Sequence, residues 1–164
     1  LEGGDCFWLN SSTLAVGRGF RSNENGIHQM RDILSNLDIN VVQFDLPPQD
    51  DPDACLHLMS VVSPLDHDLA LIYEPLMPNN LQGVLKDFGY DLLSAPVNEF
   101  ELSYGLSLNV LAVSERSVIA IEGFDETRAL MENAGCVVST FPGDELCIPC
   151  EGGPTCLTRP VLRQ

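Results

Sequence analysis

Cys6-Phe7-Trp8-Leu9, Asn10-Ser11-Ser12, Thr13-Leu14-Ala15-Val16 is the stretch from which the fold can be read. Two short apolar runs joined by three small polar residues form a β-hairpin signal. Downstream, Asn23-Glu24-Asn25-Gly26 leads into Ile27, Met30, Ile33, Leu34 and Leu37, apolar positions at helical spacing with Asn23 as the cap. Residues 39–44 are then a β-branched run closed by Leu46-Pro47-Pro48, so the order is strand, strand, helix, strand. The same order returns at residues 56–62, 69–73, 79–88 and 90–93, and again at 108–113, 117–121, 125–134 and 136–141. A period of about fifty residues predicts an α/β protein of repeated ββαβ units, each burying its helix on its own sheet and packing on its neighbours. The units fall at approximately 1–46, 55–97 and 106–143 of a single domain, 1–164, with a closing tail at 144–164. An open α/β sandwich without internal symmetry has the same element order and is the alternative.

A formal charge of −16, with 24 acidic residues against 8 basic ones, excludes nucleic acid and anionic membrane surfaces as expected partners, because both would be repelled. A cationic small molecule would be attracted. No apolar run approaches the roughly eighteen residues of a membrane span, and no basic-then-apolar leader is visible, so a soluble cytoplasmic protein is expected. The six cysteines are scattered through apolar contexts, unlike the dense framework of a small secreted scaffold, and read as reduced thiols. Cys147, Cys150 and Cys156 have a spacing that could hold zinc, but a second ligand pair at matching spacing is missing, and no metal is expected.

Four stretches carry candidate chemistry. In Glu151-Gly152-Gly153-Pro154-Thr155-Cys156, glycines allow close approach and the proline stiffens the turn, so Cys156 reads as a presented nucleophile; a small buried cysteine is the plain alternative. Glu2 and Asp5 bracket Gly3-Gly4, so two carboxylates project from one tight turn and could fork a planar guanidinium, or could simply cap strand ends. His57 opens an apolar, strand-like run, either as a satisfied core histidine or as the base a thiol needs. His67, between Asp66 and Asp68, is expected to be a protonated surface group. Arg18 and Arg21 follow a strand and precede a helix, where an arginine could grip a substrate carboxylate or sit in a salt-bridged loop.

Glu2-Gly3-Gly4-Asp5, Arg21-Ser22-Asn23, His57-Leu58-Met59-Ser60 and Gly152-Gly153-Pro154-Thr155-Cys156 occur in the chain order of the guanidine-modifying enzymes of the pentein superfamily, which the sequence resembles. That group includes arginine deiminases, amidinotransferases and dimethylarginine dimethylaminohydrolases. The resemblance implies an α/β propeller of five ββαβ units, of which three are present here. It implies Cys156 as nucleophile, His57 as general acid and base, Glu2 as guanidinium ligand, Asp5 as a supporting substrate-binding carboxylate and Arg21 as the holder of the substrate carboxylate. No cofactor is implied. Met59 stands where deiminases and amidinotransferases carry an aspartate, which points to the dimethylargininase-like branch, and Glu151 stands where deiminases tend to have an arginine. The expected activity is hydrolysis of a guanidino substrate through a covalent thiouronium, with amidino transfer or a non-catalytic interaction protein as alternatives. The missing N-terminal units are expected from a longer chain or from an oligomeric partner.

Overall fold

Asn10 turns the first hairpin by accepting the Ser12 N–H on Oδ1 at 2.9 Å, which joins β1 (Cys6–Asn10) to β2 (Thr13–Arg18) in the antiparallel pairing the sequence predicts. The computed structural model describes residues 1–48 and 56–160. Asn23 caps α1 (Glu24–Ser35) by accepting the Gly26 N–H at 2.9 Å, so an otherwise orphaned donor of the first turn is satisfied. Ile27 is fully buried against Cys6, Leu14 and Val16, with Met30, Leu34 and Val41 packed on the same cluster. Burial of a side chain of that size contributes about 1.5–3 kcal/mol. Ile33 and Leu37, counted with that stripe in the sequence, are exposed. Ile33 lies roughly a third of a turn around the helix from the buried Ile27, and Leu37 falls beyond the Asn36 cap.

The crossover through α1 returns the chain to β3 (Asn40–Asp45), parallel to β2 in continuous register from Thr13↔Asn40 to Arg18↔Asp45. The pattern repeats twice. β4 (Val62–Pro64) is antiparallel to β5 (Leu69–Ile72), which is parallel to β6 (Asp91–Ser94), and α2 (Leu81–Asp87) lies between β5 and β6 in sequence. After α3 (Val97–Leu102), β7 (Leu111–Ser114) is antiparallel to β8 (Ser117–Ile121), which is parallel to β9 (Val137–Phe141) across α4 (Asp125–Asn133). Each three-stranded sheet therefore has the second strand of its unit in the middle, flanked by one antiparallel and one parallel neighbour. Among these middle strands, β2 over residues 13–17 and the whole of β5 are buried, whereas Ser117 and Ile119 of β8 are only partly so.

The chain divides into two compact units, Leu1–Val61 with Pro75–Gly89 and Val62–Glu74 with Tyr90–Gln164. This partition cuts through the second ββαβ repeat, since its three strands belong to the second unit while α2 groups with the first. Two strand boundaries differ from the sequence reading. Residues 58–60 form a 3-10 turn and the strand begins at Val62; residues 106–108 form another, and β7 begins at Leu111. Helix α3 has no counterpart in the sequence reading; its Phe100 is buried and stacks on Tyr73, ring centroids 3.5 Å apart. Among the described residues no helix is long and apolar enough to cross a membrane. Asn23→Ala, which removes the α1 cap, is expected to lower stability by about 1 kcal/mol in denaturant titration, with Asn23→Asp close to the parent.

Candidate active site

Glu2-Gly3-Gly4-Asp5 forms a 3-10 turn in which the Asp5 N–H bonds the Glu2 carbonyl at 3.2 Å before the chain enters β1. The turn separates the two carboxylates. Glu2 remains about a third exposed, whereas Asp5 is 1% exposed, so the paired projection expected of these acids does not occur. Asp5 Oδ2 accepts the Ser22 hydroxyl at 2.5 Å, and Oδ1 accepts the Leu58 N–H at 3.0 Å while lying 3.2 Å from His57 Nδ1. Ser22, itself fully buried, also accepts the Glu2 N–H at 2.9 Å and thereby fixes both ends of the acidic turn.

His57 is not in a strand. Its N–H donates to Ser60 Oγ at 3.1 Å and its carbonyl accepts the Ser60 N–H at 3.0 Å, so its backbone bonds close locally. The ring lies against Gly4, where a Cβ would stand 2.9 Å from His57 Cγ. Only a residue without a side chain leaves room for the imidazole. Nδ1 faces the buried Asp5 carboxylate, which leaves Nε2 as the ring nitrogen on the side of Glu2. Nε2 lies 3.5 Å from Glu2 Oε2. The other Glu2 oxygen holds the Arg21 guanidinium, at 2.8 Å from Nε and 2.7 Å from Nη2. The first unit thus brings Glu2, Asp5, Arg21 and His57 into one connected polar chain. Arg18, the other arginine of that loop, is committed to Asp45 at 2.8 Å and Glu24 at 3.3 Å.

Burial alone would raise the Asp5 pKa, but the hydrogen bonds from His57, Ser22 and the Leu58 N–H outweigh it and hold the carboxyl below the usual carboxylate range. In the Asp66–Asp68 turn, hydrogen bonding to Asp66 and then the charges of Asp66, Asp68 and Glu115 raise the His67 imidazole above its ordinary value. Asp66, His67 and Glu115 are the convergent group of possible metal ligands among the described residues, and the Arg116 guanidinium already sits 3.1 Å from Asp66 Oδ2. Cys147, Cys150 and Cys156 do not form such a group.

Cys156 belongs to the second unit. It is exposed, on the short helix α5 (Pro154–Leu157), whose buried Pro154 occupies a first-turn position that needs no donor. The Thr158 hydroxyl closes the turn on the Pro154 carbonyl at 2.7 Å. Asn109 reaches the sulfur, with Nδ2 3.0 Å from Sγ. Sequence reasoning missed Ser22 and Asn109. Ser22 stands inside the Arg21-Ser22-Asn23 motif, the one mark the sequence offers for it, whereas Leu108-Asn109-Val110 carries no local mark at all.

A family model described as arginine deiminase matches residues 1–101. An arginine deiminase of Mycobacterium avium is 27% identical over 188 residues, covering 99% of this chain and 46% of that protein. Among solved structures, SxtG, an amidinotransferase from Microseira wollei in the saxitoxin biosynthetic pathway, superposes with a TM-score of 0.81 at 20% identity, over 98% of this chain and 47% of that one. DDAH from Pseudomonas aeruginosa, complexed with citrulline, superposes with a TM-score of 0.73 at 21% identity, over 94% of this chain and 53% of that one. The fold is therefore that of the pentein superfamily, in three ββαβ units. The chain spans about half the length of the curated relatives it matches.

The depressed Asp5 pKa has a signed consequence. A group with a lowered folded pKa contributes stability that is present above its unfolded pKa and lost as pH falls through the folded value. Acidification below about pH 4 is expected to destabilise the parent chain more than Asp5→Asn, read as melting temperature against pH. Ser22→Ala, which strips a donor from the buried carboxylate, is expected to cost about 2 kcal/mol at neutral pH.

Proposed function

The chain belongs to the arginine deiminase family, and from that premise we propose that it hydrolyses the guanidino group of an arginine derivative through a covalent thiouronium on Cys156. The observation that carries this reading is the run from Asp5 through His57 to Glu2. A buried carboxylate faces Nδ1 of the imidazole, and Nε2 faces a carboxylate about a third exposed that already grips one guanidinium, that of Arg21. A carboxylate so placed is suited to a second guanidinium of the same geometry.

On this reading Glu2 holds the substrate guanidinium in its cationic, electrophilic form. The Cys156 thiolate attacks its central carbon and forms a C–S bond. His57 enters this step as the imidazolium; the C–N bond to the leaving amine breaks, and that amine takes the proton from Nε2, which leaves the ring neutral. Asp5 stabilises the imidazolium for this step. A water molecule, losing its proton to the now neutral Nε2, adds to the thiouronium carbon; the C–S bond breaks and a ureido product leaves with the thiolate restored. Arg21 takes the substrate carboxylate, exchanging its present bond to Glu2 for one to the ligand. Met59 supplies no second carboxylate for the guanidinium, which favours a substrate bearing alkyl groups on one nitrogen, as in dimethylargininase-like chemistry. The residues needed for these steps carry no metal or organic cofactor in the scheme. Within this proposal, 1–164 acts as a single domain with three of five ββαβ units, and the others come from a longer polypeptide or a partner.

Intact-mass analysis after incubation with chloroacetamidine is expected to find one adduct, mapped to Cys156 and absent in Cys156→Ala. With methylated and unmethylated arginine, ureido product is expected to fall by about a hundred- to ten-thousand-fold in His57→Ala. An adduct on Cys147 or Cys150 instead, or product formation indifferent to Cys156→Ala, would overturn the assignment. Product trapped on an added amine in place of water would make the reaction an amidino transfer.

A further inference from the structure

Cys156 has a partner that the scheme above leaves unused. Asn109 links the 3-10 turn Leu106–Leu108 to β7, and its amide lies between the backbone of α5 and the sulfur. Asn109 Oδ1 accepts the Thr155 N–H at 3.0 Å and also the Thr155 hydroxyl. A backbone N–H can only donate, so the carbonyl end of the amide must be the end that faces Thr155. The other end is thereby turned to the sulfur, with Nδ2 3.0 Å from Cys156 Sγ. An amide N–H in that place favours the anion, because a thiolate is a far better acceptor than a thiol.

The surroundings keep the amide where it is. A Cβ at Gly153 would stand 2.5 Å from Asn109 Cγ and 2.6 Å from Oδ1, so Asn109 lies directly on the glycine backbone. This gives Gly153 a specific task, which its neighbour does not share in the same form: a Cβ at Gly152 would meet the Cys156 Cβ at 3.2 Å. Asn109 therefore depends on Gly153 for space, on Thr155 for orientation, and has one donor group left for the sulfur.

We propose that Asn109 is a catalytic residue: its amide N–H stabilises the Cys156 thiolate, and Gly153 and Thr155 hold the amide for that purpose. When the thiolate forms, the thiol proton leaves to solvent. This rests on the reading of Cys156 as the nucleophile. Cys147 is a titratable group that acts on Cys156, and Glu151 and Arg159 are the nearest charged residues in sequence. Burial and then the other two thiols push Cys147 upward, so it stays protonated at neutral pH and adds no negative charge against the Cys156 sulfur.

The test is the pH dependence of Cys156 alkylation by iodoacetamide, followed by peptide mass mapping in the full chain. Asn109→Asp keeps an oxygen for Thr155 and replaces the donor by an acceptor. Asn109→Ala removes the donor without adding charge. Both are expected to raise the midpoint of Cys156 alkylation by about one pH unit or more, which is about a tenfold loss of thiolate at neutral pH. Gly153→Ala, which displaces the amide, is expected to move the midpoint the same way and supplies the uncharged arm if Asn109→Ala does not fold. An upward shift confined to Asn109→Asp would mean that charge alone acts and would overturn the proposal, as would midpoints that do not move. The parent chain's chloroacetamidine adduct is read separately. A Cys156 adduct with unmoved midpoints defeats only the role of Asn109, and shifted midpoints without the adduct defeat only the role of Cys156.

Discussion

Asp5 carries its carboxylate into a place where 1% of the residue meets water, and donors from separate segments make that burial tolerable. Ser22 comes from the loop after β2, and Leu58 and His57 from the turn that precedes β4. An ionised carboxylate without such partners would cost several kcal/mol to bury. The same bonds that offset this cost also position the groups that make them. The Leu58 N–H bond ties the turn at residues 58–60 to the acid, His57 Nδ1 faces the same carboxylate, and the Glu2 backbone is tied to it through Ser22.

This explains which parts of the molecule were legible in the sequence. The ββαβ order was, because each strand is a local apolar run, each crossover helix shows helical spacing, and Asn23 announces its helix by residue type. The strand expected at residues 56–62 was not, because the partner that draws Leu58 out of a ladder lies fifty-three positions away in the chain. The Gly3-Gly4 pair could be read as room for a close approach, but not as room for this imidazole. Asp5 read as a projecting acid because spacing reports which residues share a turn and not which of them is buried. Asn109 had no periodicity, spacing or compositional mark; its significance arises only from Thr155, forty-six positions onward.

Scarce cations in so acidic a chain are used at joints. Arg18 spans from β2 to the ends of α1 and β3 through Glu24 and Asp45. Arg116 binds Asp66 at 3.1 Å, Asp68 at 2.9 Å and the carbonyl of Ala134 at the end of α4 at 2.7 Å, so one planar fork fastens two turns and a helix terminus. The exposed Arg18 pairs contribute only about 0–1 kcal/mol each, whereas the Asp66 side chain that Arg116 holds is buried. Arg21 differs from these in its partner, since Glu2 is the carboxylate that also faces His57.

The route of the chain between its two compact units bears on how the protein is made. The polypeptide passes from one unit to the other after Val61, returns at Pro75 and leaves again after Gly89. No single cleavage point separates the units as whole pieces. During synthesis the first unit lacks α2 until residue 87 has left the ribosome, while β4 and β5, already translated, have yet to receive the parallel strand β6 that completes their sheet. The N-terminal unit therefore cannot be completed before the first two strands of the second repeat and its helix have been translated.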